Sequence, residues 1–154
     1  MMNITFGKLT DLPHGTLYEM LKDAYSFDGR FAEAWSTQWQ EFDNFFSNEP
    51  AIARKCGFVT LLSGEPVGFV SWDPRGLPEA VRIGHNCVLS RYKGQGIGTL
   101  QMQEAVQRIS RQDYPRRIIV TTSDLLLPAQ KMYQRAGFRL TSRRKNEHFS
   151  GGFP

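Results

Sequence analysis

The stretch Tyr92-Lys93-Gly94-Gln95-Gly96-Ile97-Gly98-Thr99 places three glycines at alternating positions. Glycine has no Cβ and tolerates positive φ, so such a loop can aim several backbone N–H groups at one point. An apolar run, Ile83 to Leu89, precedes the loop, and a helically periodic segment, Leu100 to Ile109, follows it. A strand therefore feeds a glycine loop that opens into a helix. The helix adds unpaired N–H groups of its own and the positive end of its dipole. That combination suits a phosphate or pyrophosphate. A P-loop would close on Gly-Lys-Ser/Thr, which is absent here. A dinucleotide fold would need an acidic residue at the end of the next strand, whereas Asp113 precedes that strand. Tyr133 lies on a later helical stripe, where a core role is the better account of it taken by itself. His85 stands within the strand, and an unperturbed imidazole suits a base near neutral pH.

The elements that must position these groups follow from periodicity and punctuation. Asn3 to Leu9 reads as a strand. A helix starts near Asp11 and Pro13 and runs to about Tyr25. Residues 26–30 form a break, and a second helix spans about Phe31 to Phe46, with Trp35, Trp39, Phe42 and Phe46 at helical spacing. Phe58 to Leu62 and Val67 to Trp72 form a hairpin around Ser63-Gly64-Glu65-Pro66. Val81 to Leu89 leads into the glycine loop, and the helix after it reaches Ser110 or Arg111. Arg117 to Thr122 is a β-branched strand. Pro128 opens a helix that Gly137 ends, and Phe138 to Thr141 begins one more strand. The order is β-α-α-β-β-β-α-β-α-β, a mixed α/β layer fold in one domain over residues 1–154.

Composition narrows the partners. The chain has 154 residues, 40% hydrophobic and 22% charged, with net charge +4. Its last third is rich in arginine, but aromatic residues are not interleaved there as a nucleic-acid stacking platform requires, so nucleic acid is not the expected partner. Cys56 and Cys87 are too few for a disulfide framework and lack metal-site spacing, so no metal is expected and both read as buried thiols. The first residues show no charged segment followed by an apolar one, and no run is long enough to span a membrane. A cytoplasmic location is expected.

Two segments resemble the GNAT family of N-acetyltransferases. Lys93-Gly94-Gln95-Gly96-Ile97-Gly98 is similar to the family's Gln/Arg-x-x-Gly-x-Gly/Ala loop, with Val88-Leu89-Ser90-Arg91-Tyr92 resembling its Val-x-Pro-x-Tyr lead-in. Ala129 to Phe138 resembles the segment Ala-x-x-Leu-Tyr-x-x-x-Gly-Phe. Three departures stand out: Lys93 for Gln or Arg, Ser90 for Pro, and Leu126 where Asn is common.

The resemblance implies a mixed, mostly antiparallel sheet flanked by helices, with no visible counterpart of the family's final strand after Glu147. It implies transfer of an acetyl group from acetyl-CoA to a small-molecule or peptide amine by direct attack on the thioester. Asn86, Cys87 and Val88 would run beside pantetheine, and Lys93, Gly94, Gln95, Gly96, Ile97, Gly98 and Thr99 would hold the pyrophosphate. Tyr133 would protonate the leaving thiolate. The base stays open among Glu79, His85 and a water chain, and Cys87 as an acyl carrier would depart from the family's direct transfer. Tyr25, Phe27, Phe31, Trp35, Trp39 and Trp72 would line the acceptor site. The alternative is a non-catalytic acyl-CoA-binding or regulatory module on the same fold. A missing final strand is compatible with a homodimer that completes the sheet.

Overall fold

The structure, a computed structural model, describes residues 3–122 and 126–141. Five strands form one sheet in the order β1-β2-β3-β4-β5: β1 Ile4–Gly7, β2 Gly57–Leu62, β3 Glu65–Asp73, β4 Ala80–Val88 and β5 Arg117–Ile119. The first three pairings are antiparallel and β4 pairs with β5 in parallel. The β2–β3 hairpin turns on Ser63 and Gly64, both at positive φ (50° and 85°), as a two-residue primed turn requires.

Helices cover both faces. Helix α1 (Thr16–Ala24), α2 (Gly29–Asn48) and a short α3 (Pro50–Lys55) lie on one side, and α4 (Ile97–Asp113) and α5 (Leu127–Arg135) on the other. The first layer buries Leu21, Phe31 and Trp39 against Val59, Phe69 and Cys87 of the sheet. The second buries Met102, Ala105 and Ile109 against Phe58, Val70, Trp72, Val81 and Ile83. No helix among the described residues is long and apolar enough to cross a membrane.

Strand β4 is not regular. Trp72 pairs with Ile83 but Val70 pairs with Asn86, so two steps on β3 oppose three on β4. Gly84 and His85 together face Ser71, a β-bulge. The His85 N–H donates to Ser71 Oγ (3.0 Å), and a Cβ on Gly84 would stand 3.0 Å from the same oxygen. Past the bulge the alternation of faces is inverted. Val81 and Ile83 point to α4, whereas Cys87 points to the α1–α2 layer and Asn86 to α4 and α5.

Several boundaries differ from the sequence expectation. Gly29 lies inside α2 rather than in the break, because the Asp28 carboxylate caps the helix by accepting from the Arg30 N–H (3.0 Å). Helix α3 was not foreseen, although Pro50 sits at its first turn. Strand β5 stops at Ile119 instead of Thr122. Phe138 to Thr141 forms no strand. The Phe138 N–H is donated to the Tyr133 carbonyl (2.9 Å) and so is not free for a ladder. The sheet position expected to be empty after Glu147 lies outside the described residues.

Candidate active site

The glycine loop leaves β4 through a 3-10 turn at Ser90–Tyr92 and enters α4 at Gly96. Gly94 and Gly96 take φ of 80° and 82°, and a Cβ at either would meet nothing within 4 Å. These two glycines are therefore selected by backbone conformation, not by crowding. Gly96 is the N-cap of α4 and brings no side-chain cap. The N–H groups of Ile97, Gly98 and Thr99 consequently have no intrahelical acceptor and face out at the positive end of a helix of 17 residues. Ile97 also anchors this turn, its side chain buried in the core.

The two departures in the loop share one neighbour. The Ser90 N–H donates to Asp23 Oδ2 (2.8 Å) and its hydroxyl to the Asp23 carbonyl (2.7 Å). Proline could not make the first bond. The Lys93 ammonium donates to the carbonyl of Ala24, the last residue of α1, and lies 4.5 Å from the centre of the Phe27 ring. Its side chain thus lies against the end of α1, while its backbone stays on the loop.

Tyr133 comes from the last turn of α5. Gly137 (φ 105°) and Phe138 close that helix as a Schellman cap: the Gly137 N–H donates to the Gln134 carbonyl (3.0 Å) and the Phe138 N–H to that of Tyr133. The Phe138 ring meets the Tyr133 ring edge-on at 5.9 Å. The Tyr133 hydroxyl accepts from Asn86 Nδ2 (3.4 Å). Burial pushes the phenol pKa up, and the bond from Asn86 pulls it part of the way down.

Between loop and tyrosine lies an unpaired strand edge. β5 pairs only with Ala80, Val81 and Arg82 of β4. From Ile83 to Val88 no strand among the described residues pairs with the outer edge of β4. An amide-bearing chain can add to such an edge.

These features decide the family. The sequence profile of the acetyltransferase (GNAT) family matches residues 15–138. The chain belongs to that family. The GNAT fold is shared with solved structures of low identity. One is a GNAT acetyltransferase of Desulfovibrio desulfuricans, 16% identical over 98% of this chain and 94% of that one, with a TM-score of 0.76. The PaiA N-acetyltransferase of Thermoplasma acidophilum, in complex with coenzyme A, is 13% identical over 99% and 96%, with a TM-score of 0.72. A GNAT acetyltransferase of Elizabethkingia anophelis with acetyl-CoA bound is 19% identical over 94% and 82%, with a TM-score of 0.64. No curated protein matches the chain.

The GNAT frame does not gather every residue expected at the site. Glu79 precedes β4, is ion-paired with Arg116 (3.2 Å), and lies roughly 20 Å of strand from Asn86, so it is not gathered with Tyr133. His85 faces the other layer, its ring 4.3 Å from that of Phe42, and burial pushes its pKa down to about 4. It is neutral at pH 7 and a poor proton acceptor. Cys87 is buried with its pKa pushed up to about 12 by desolvation, so the protonated thiol is favoured over the nucleophilic thiolate.

The aromatic set divides. Tyr25 packs against Phe27, Phe31, Trp35 and Trp39, all in the α1–α2 layer. Within it Phe31 and Trp39 are fully buried, while Phe27 is 57% exposed. Trp72 lies beneath α4 across the sheet, with Phe58 at 6.2 Å, and shares no wall with them. The Tyr25 phenol, its pKa raised by burial and then by Tyr133, brings this layer to the other side of the same strand edge. A shallow depression of about 710 Å³ on α1, lined by His14, Tyr18, Glu19, Asp23, Gln40 and Leu89, includes neither Tyr25 nor Tyr133.

Sequence reasoning missed Gln101 and Thr60. Gln101 is fully buried and bonds Asn86, two backbone carbonyls and Thr60. A polar residue inside an apolar helical stripe was the available signal.

Proposed function

We propose that this protein transfers an acetyl group from acetyl-CoA to a primary amine by direct attack on the thioester. One observation carries the proposal: an uncapped glycine loop and a tyrosine hydroxyl flank an edge of β4 that no strand among the described residues pairs. The coenzyme-bound relatives support it. Acetyl-CoA would supply the activated acyl group. The N–H groups from Gly94 to Thr99 suit its pyrophosphate, and the edge at Asn86, Cys87 and Val88 suits the amides of its pantetheine arm. Tyr133 donates a proton to the departing sulfur. His85 is too weak a base and Glu79 too distant, so the amine arrives neutral or loses its proton to water. Phe27, Tyr25 and Trp35 form the aromatic side of the acceptor approach and favour an amine with apolar substance, small molecule or peptide.

Acetyl-CoA should raise the melting temperature by mass action on the native state. Thiol release should follow when amines are added from a panel of polyamines, aminoglycosides and peptide N-termini. Absence of any melting shift at millimolar acetyl-CoA would exclude the assignment. A shift without thiol release on any amine would identify a binding module instead.

A further inference from the structure

Four polar side chains run in series from the middle of the sheet to the Tyr133 hydroxyl. Gln101 of α4 is wholly buried. Its Nε2 lies 2.9 Å from the Phe69 carbonyl, 3.1 Å from the Cys87 carbonyl and 2.6 Å from Asn86 Oδ1. Its Oε1 accepts from the Thr60 hydroxyl at 2.7 Å. Backbone carbonyls only accept, so the amide nitrogen must be the atom that faces them. The orientation of Gln101 is thereby fixed by chemistry. Asn86 must then present Oδ1 to Gln101 and Nδ2 to Tyr133, 3.4 Å away.

The polarity of the series matters for the last member. The Tyr133 oxygen accepts from Asn86, so its own proton is not used in that bond. Among the described residues no other group hydrogen-bonds the Tyr133 hydroxyl. We propose that Gln101 and Asn86 are positioning residues that hold Tyr133 as a donor, its proton directed into the groove along β4. The proposal rests on the acetyltransferase assignment for its purpose but not for its geometry. A satisfied buried amide adds little stability over an apolar side chain of the same size, so packing alone does not explain a glutamine here. Orientation of the phenol does, because an acid must point its proton at the leaving group.

The test reverses the polarity at one position. Asn86→Asp nearly preserves shape but puts an acceptor where a donor stood, so the Tyr133 proton is drawn to the carboxylate and away from the groove. With an amine acceptor in hand, kcat for thiol release should fall on the order of 100-fold while KM for acetyl-CoA changes less than about threefold. In the Tyr133→Phe background the same change should cost less than about threefold, because the group it acts through is gone. An equal loss in both backgrounds would overturn the proposal. NMR of carbon-13-labelled tyrosine, with Tyr133 assigned from Tyr133→Phe, gives a readout independent of turnover. Asn86→Asp should move the Tyr133 titration to higher pH, lowering the phenolate fraction at a given pH about tenfold. An unmoved titration would overturn the proposal whether or not an acceptor is known. A moved titration in a protein that transfers acetyl to no amine would defeat the assigned function and leave the orientation standing. If Asn86→Asp does not fold, Asn86→Ala, which withdraws the donor without adding charge, should shift the titration in the same direction.

Discussion

The ammonium of Lys93 bonds the carbonyl of Ala24 and lies against the ring of Phe27, so the glycine loop is fastened to the C-terminal end of α1. Ser90 fastens the same loop to Asp23. Both residues that depart from the family loop thus act in one latch. A cation at a helix C-terminus is favourable, and the ring adds to it. Lys93→Met should cost about 1–2 kcal/mol of unfolding free energy. Coenzyme A affinity should change less than about threefold. Denaturant unfolding and calorimetry check the two halves separately; a large affinity loss with intact stability would mean that the ammonium serves phosphate.

The two classes of loop glycine should answer differently to alanine. Gly96 has φ of 82° with open space around it, so Gly96→Ala incurs backbone strain of about 1–2 kcal/mol and distorts the first turn of α4. Coenzyme A binding should weaken with it. At Gly98 a Cβ would make ordinary contacts with Met132 (3.5 Å) and Val88 (3.7 Å) inside a helix. Gly98→Ala should therefore be neutral or stabilise by up to about 1 kcal/mol. Thermal unfolding of the two variants side by side distinguishes them.

Tyr133→Phe keeps the ring and its contact with Phe138 but removes the hydroxyl to which the proposed function gives the acid role. Turnover should fall on the order of 100-fold with KM for acetyl-CoA little changed. Unchanged turnover, measured by thiol release, would assign protonation of the thiolate to water.

His85 makes stability depend on pH. Its folded pKa, near 4, lies below the ordinary 6.5 because burial disfavours the imidazolium. Between these values the unfolded chain binds more protons than the folded one, so stability is full above about 6.5 and falls as pH drops toward 4. The complete effect is about 3 kcal/mol. Burial of Asp43 acts in the opposite sense, since its raised pKa favours folding at lower pH. His85→Phe should remove only the first contribution, so the difference between variant and parent in urea unfolding should shift in the variant's favour from pH 7 to pH 4.5. A constant difference would mean that His85 is not titrating in this window.

The loop, the tyrosine helix and most of the sheet were legible because each leaves a local mark: alternating glycines, Gly137 after a stripe, apolar runs between turn residues. The remainder depends on what meets across the fold. Gln101 has partners 15 and 41 positions away, at Asn86 and Thr60, and no helical pattern names them. Trp72 and Trp39 look alike in sequence but lie on opposite faces of the sheet. Glu79 was offered as a base on position and His85 on position and its ordinary pKa, and the sequence could not show that Glu79 pairs with Arg116 or that His85 packs against the ring of Phe42. Gly84 within a strand was a readable sign of the bulge, but which residue it would turn inward was not.

That extra residue acts as a parity switch. In a regular strand of the same sequence, His85 and Cys87 would follow Val81 and Ile83 toward α4 and α5, and Asn86 would turn into the aromatic layer. Tyr133 would then face an imidazole and a thiol, the raw materials of a covalent acyl carrier, in place of an amide that orients its proton. Which side chains share a face with Tyr133 is decided by a backbone irregularity, with no change in the residues themselves.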